Sequence, residues 1–118
     1  MVGRLKQIIA TMLLLSFLAA GASYAQSLGR FSQSLRDRAN ELVQEARNLE
    51  YSAWQLVKSA TELEYEAWRA PEKQSELLLK ATELRSAADT MKAEAQDKLK
   101  TAWDLTRQAD EMERSLNG

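Results

Sequence analysis

Leucine recurs every seven residues at 35, 42, 49, 56 and 63. Further steps of seven give Ala70, Leu77, Leu84, Met91, Lys98, Leu105 and Met112, so ten of the twelve positions are large and apolar. Four residues after each lies a second series: Ala39, Ala46, Ala53, Ala60, Ala67, Gln74, Ala81, Ala88, Ala95, Ala102 and Ala109. Apolar spacings that alternate four and three describe a helix with one narrow apolar seam, because side chains at those spacings share a face. Calling the alanine position a and the leucine position d, the period of 3.5 predicts a left-handed supercoil. Helix propensity alone does not explain the alanines. Propensity is blind to register, yet ten of the 13 Ala in 26–118 share position a.

Alanine at a lets two helix backbones approach more closely than leucine layers do, toward the low end of the ~8–10 Å packing range. Alternating large and small layers suit antiparallel helices, with a leucine of one filling the space over an alanine of the other. The only Pro, Pro71, sets the topology. It biases Ala70 away from helical backbone and fits the first position of a new helix, and Glu72 adds a negative charge where a helix N-terminus favours one. The expected fold is therefore all-α, an antiparallel coiled-coil helical hairpin with an Ala(a)/Leu(d) seam, able to dimerise into a four-helix bundle. Helix 1 is expected over about 32–69, starting near Ser32 or Ser34, where Ser34 and Asp37 form a loose capping pattern. The turn falls at about 69–71, and helix 2 runs over about 71–116, stopped by Asn117-Gly118. Two rivals stay open. The heptad phase does not shift across Pro71, as in one continuous kinked helix. Asp97 and Lys98 interrupt the pattern, as at a break into three or four shorter helices.

Residues 1–25 read as a secretory signal. Arg4 and Lys6 precede the uncharged run Ile8 to Ala20, and small residues, Ser23 and Ala25, stand at −3 and −1 of an expected cleavage after Ala25. The run of 13 is short against the ~20 residues of a membrane span, which disfavours an uncleaved anchor. Cleavage would leave 118 − 25 = 93 residues, with 14 basic and 17 acidic side chains and a net charge of −3. The expected location is outside the cytoplasm, periplasmic or secreted.

The absence of Cys removes disulfides, thiolate metal sites and lipid attachment at a cysteine. The absence of His removes Ser-His-Asp triads and the Glu-x-x-His motifs of di-iron bundles. The near-zero net charge lacks the electrostatic footprint of a nucleic-acid binder, so no nucleic-acid partner is expected. Glu62, Glu64 and Glu66 cluster, but helical Glu lacks the loop geometry of an EF-hand, and a solvated face is the simpler reading. Lys98 at a d position reads as a stem that reaches solvent. The chain is expected to be no enzyme, with no cofactor and no metal.

A second apolar stripe remains. Trp54, Trp68 and Trp103 fall at b; Val43, Val57, Leu78 and Leu99 at e; Tyr51 and Tyr65 at f. Leu49-Glu50-Tyr51-Ser52-Ala53-Trp54 recurs as Leu63-Glu64-Tyr65-Glu66-Ala67-Trp68, fourteen residues on, so both copies face the same way. A two-helix hairpin that buries a and d leaves this stripe wet, and a sizeable exposed apolar patch marks an interface. The candidate interface residues are Tyr51, Trp54, Val57, Tyr65, Trp68, Leu78, Leu99 and Trp103. The expected partner is a second copy of the chain or another envelope or secreted protein. A membrane surface is the alternative, weakened by the mildly acidic balance, because surface-binding helices carry basic polar faces.

Overall fold

The computed structural model describes residues 21–117, so most of the expected signal segment, 1–20, lies outside the described residues. The described chain is all-helical. Helix α1 spans Gly21–Arg69, a 3₁₀ turn spans Pro71–Lys73, and helix α2 spans Gln74–Asn117. Two long helices joined by one tight break are consistent with a helical hairpin, and neither a continuous kinked helix nor a set of three or four short helices describes it.

The break is local chemistry. Ala70 leaves the helical region, at φ −125° and ψ 79°, as the residue before a proline tends to do. Its N–H still donates to the Glu66 carbonyl at 2.9 Å, closing α1. Its own carbonyl accepts from Lys73 N–H at 3.0 Å, and the Gln74 N–H donates to the Pro71 carbonyl. Pro71, with no N–H to satisfy, stands at the start of the new helical run.

α1 begins at Gly21, ahead of the start near Ser32 or Ser34 that the capping pattern suggests. Ser32 is buried inside the helix, and its hydroxyl donates to the Gly29 carbonyl at 3.0 Å. Asp37, paired with Ser34 in the capping pattern, accepts instead from Gln33 Nε2 at 2.9 Å. Ser32, Ser34 and Asp37 are all mid-helix.

The chain divides into two compact units, one of 39–103 and one that joins residues up to Arg38 with 104–118. In the 39–103 unit, Ala39, Ala46, Ala53, Ala60, Ala67, Ala81, Ala88, Ala95 and Ala102 are all buried. The leucine series behaves differently. Leu42 is buried, but Leu49, Leu56, Leu63, Leu77, Leu84 and Met91 are only half-buried. The expectation that the hairpin buries both a and d is corrected at d: the alanines are buried, while the d residues other than Leu42 are only half-buried. The smallest side chain at the centre allows the closest backbone approach, which pushes the d position, on one side of a around the helix, toward solvent. Among the described residues no large side chain is fully buried.

Ion pairs cross this unit. Arg85 on α2 contacts Glu64 on α1 through Nη2 and Nε, and its Nη2 lies 3.2 Å from the Thr61 hydroxyl. Lys98 Nζ donates to Glu45 Oε2 at 2.9 Å. As the α1 partner moves toward the N-terminus the α2 partner moves toward the C-terminus, so the helices run antiparallel. Glu64 and Arg85 each follow a seam alanine, Ala60 and Ala81, by four residues.

In the second unit, Leu28, Ser32 and Ala109 are buried. Arg36 is its organising charge. It donates to Glu113 through Nε at 3.0 Å and Nη2 at 2.8 Å, and to Asp110 through Nη2 at 2.6 Å. The Ser32 hydroxyl lies 3.4 Å from Glu113 Oε1.

Candidate functional site

The two copies of the Leu-Glu-Tyr-x-Ala-Trp repeat set two Tyr/Trp pairs on α1, fourteen residues apart. Each copy buries its alanine, Ala53 or Ala67, and half-buries its leucine, Leu49 or Leu63. With those two faces committed, the Tyr and Trp have nowhere to point but outward. Tyr51, Trp54, Tyr65 and Trp68 are 60, 58, 62 and 82% exposed, and Trp103 on α2 is 74% exposed.

Three of the rings make contacts along α1. Tyr51 stacks on Trp54 with centroids 6.1 Å apart and planes inclined by 26°. Lys58, four residues on from Trp54, holds Nζ 5.7 Å from that ring centroid. Arg69, four residues on from Tyr65, holds its guanidinium carbon 5.1 Å from the tyrosine ring. Each exposed cation–π contact contributes about 0.5–1 kcal/mol. That suffices to bias the ring's rotamer but not to hide it.

Two shallow open grooves follow the repeat. One of about 570 Å³ runs past Tyr51, Trp54, Leu56, Lys58, Glu62 and Met91. The other, of about 530 Å³, is lined by Thr61, Glu64, Tyr65, Trp68 and Arg85. Both mix ring faces, aliphatic side chains and charges of both signs.

Of the other candidate interface residues, Leu78 is 41% exposed while Val57 and Leu99 are half-buried. The rings stand free, and these e-position aliphatics lie lower, against the seam. Leu79, 60% exposed, was not singled out by sequence. Its signal was the run Leu77-Leu78-Leu79, since three consecutive leucines cannot all share one helix face. Phe31, 39% exposed, belongs to the other unit and has no counterpart in the repeat.

Among the described residues no group of three or more His, Cys, Asp or Glu is placed to hold a metal ion. Of the clustered acids, Glu64 is engaged by Arg85. The perturbed titrations lie away from the stripe. Hydrogen bonding to Arg36 holds the Glu113 carboxyl below the usual carboxylate range. The same contacts, Glu113 first and Asp110 second, push the Arg36 guanidinium further up. Among the described residues no helix is long and apolar enough to cross a membrane.

No protein-family model, no curated protein and no solved structure matches this chain. The functional reading rests on the residues themselves.

Proposed function

We propose that this is an exported, non-catalytic helical binding or structural protein, a periplasmic or secreted adaptor, scaffold or chaperone-like rod, whose Tyr/Trp stripe is its contact surface. The observation that carries the reading is the stripe. Five rings at least 58% exposed stand on helices whose small residues have been spent on the seam. Exposed Trp and Tyr are the residue types enriched where binding energy concentrates. The alanine seam supports a close-packed antiparallel coiled coil as the carrier. The terminal segment, with Arg4 and Lys6 ahead of an uncharged run and Ala25 at the cleavage position, supports export.

The test is photo-crosslinking in the native envelope fraction, comparing wild type with Trp54→Glu/Trp68→Glu. The proposal expects a discrete crosslinked product that the double substitution removes. An unchanged product pattern refutes the assignment of the stripe. Intact mass of the exported protein checks the other half: the expected form begins at Gln26, and a mass that retains residues 1–25 rejects cleavage after Ala25. The membrane-surface alternative is read by Trp emission. A blue shift on adding anionic vesicles at low salt would transfer the stripe from protein to lipid.

A further inference from the structure

Methionine stands where the heptad pattern asks only for a leucine. In the unit of 39–103 the d series reads Leu42, Leu49, Leu56, Leu63, Leu77, Leu84, Met91 and Lys98. Leucine and methionine exchange in a packed core at little cost, and methionine defines the packing less sharply. Packing therefore gives no reason to prefer methionine at 91. What leucine cannot supply is the sulfur atom.

That sulfur sits at the contact surface. Met91 is half-buried and lines the open groove of about 570 Å³ that Tyr51, Trp54 and Leu56 also line. The chain has no Cys, so a peroxide finds its soft nucleophile in a methionine thioether. Beyond residue 25 there are two such groups, Met91 and Met112, and Met112 belongs to the other unit.

We infer that Met91 is a reversible oxidation site: a peroxide converts its thioether to the sulfoxide, which makes the Tyr51/Trp54 groove polar while the helices stay folded. The inference rests on the reading of the stripe as a contact surface, and adds a control on that surface.

The chemistry balances with a hydroperoxide as the oxidant. A sulfur lone pair attacks one peroxide oxygen, the O–O bond breaks and an S–O bond forms. Two electrons leave sulfur, and the departing oxygen takes the proton of the transferred hydroxyl and leaves, as water when the oxidant is hydrogen peroxide. The product is polar where the thioether was apolar.

The groove is built to hold that product. Ser52 and Ser59 line it too. Thr61, Thr82, Thr90 and Ser115 turn their hydroxyls back onto the carbonyl four residues earlier. Among the described residues Ser52 and Ser59 do not, so both hydroxyls are open to donate to a sulfoxide oxygen. The seam is untouched by the change, because the buried alanines Ala53, Ala60, Ala88 and Ala95 do not line the groove. A partner that covers Tyr51 and Trp54 must now desolvate the sulfoxide as well, which weakens its binding by about tenfold.

The experiment treats the purified full chain with hydrogen peroxide and reads peptide mass, far-UV circular dichroism and the indole N–H signals of Trp54, Trp68 and Trp103 by NMR. One oxygen is expected on Met91, at a rate within ~10-fold of free methionine's. Helix content is expected to hold, and the Trp54 signal to move while those of Trp68 and Trp103 stay. Sulfoxide reductases of both stereospecificities with a dithiol, which carry the oxygen off as water and leave a disulfide, should return the Trp54 signal. In Met91→Leu no indole signal should move. A Met91 that stays reduced in the folded chain, a loss of helix on oxidation, a stationary Trp54 signal, or a signal that moves in Met91→Leu each overturns the inference. Failure of the stripe reading shows elsewhere: the crosslinked product ignores Trp54→Glu/Trp68→Glu while oxidation still moves the Trp54 signal. A product that depends on the tryptophans yet survives oxidation undiminished overturns the inference alone.

Discussion

Ala60→Leu probes the seam most directly. Ala60 is 0% exposed, as are Ala53, Ala88 and Ala95 in the same unit. Leucine adds three carbons at a point with no spare volume. Burying them would gain up to ~2.4 kcal/mol at about 0.8 kcal/mol per carbon, but only if room existed. Without room the helices part locally, and the neighbouring seam alanines Ala53 and Ala67, about 10 Å away along the axis, reopen. Re-exposing roughly 30 Å² at each costs about 1.5 kcal/mol at 25 cal/mol per Å². That sits within the ~1–3 kcal/mol typical of overpacked cores. For a domain of this size it lowers the thermal midpoint by roughly 5–20 °C. The assay is thermal unfolding followed by far-UV circular dichroism at one fixed protein concentration. Ala93→Leu is the matched control, because Ala93 is exposed, the change in helix propensity is the same, and a surface substitution shifts stability by no more than about 0.5 kcal/mol. An Ala60→Leu midpoint equal to or above that of Ala93→Leu refutes the reasoning, because the seam would then have room that close methyl packing denies it.

Acid should weaken the Arg36–Glu113 contact. The folded-state pKa of Glu113 is depressed, so its contribution is present above the ordinary carboxylate value and is lost as pH falls through the folded value. The acid slope of the urea midpoint should be shallower in Glu113→Gln, and identical slopes would remove the contact from the ledger. Pro71→Ala should cost about 0.4–1 kcal/mol, chiefly by loosening the unfolded chain; a stabilised variant in urea titration would contradict a break that proline favours.

Much of the architecture was legible in the residues. The break at Ala70 followed from Pro71, because proline constrains its predecessor through simple steric contact. The seam alanines were legible because register, unlike propensity, is a statement about geometry. The start of α1 was not, and Ser32 shows why. A serine that caps a helix and a serine that fills a small-residue seam look alike in a string of letters. Ser32 lies seven residues before Ala39 and is buried, so it continues the alanine series instead of ending the helix. The half-burial of Leu56 or Leu84 was hidden for a related reason. A two-residue heptad seam does not say which position sits at the centre, and only side-chain size decides that alanine does. In the stripe, the outward rings followed from the repeat, but the cations above them depended on rotamers of Lys58 and Arg69 that spacing permits without requiring.

The antiparallel return at Pro71 also orders the folding of the chain. Glu64 and Arg85 are 21 residues apart in sequence, and Glu45 and Lys98 are 53 apart. Closing the longer loop from an open chain costs about 0.8 kcal/mol more than closing the shorter one. Once the nearer pair has met, each further turn of helix adds only a few residues to what must be ordered. The chain is therefore built to close like a zipper from the proline outward, with the contacts nearest the turn forming first and those farthest from it breaking first.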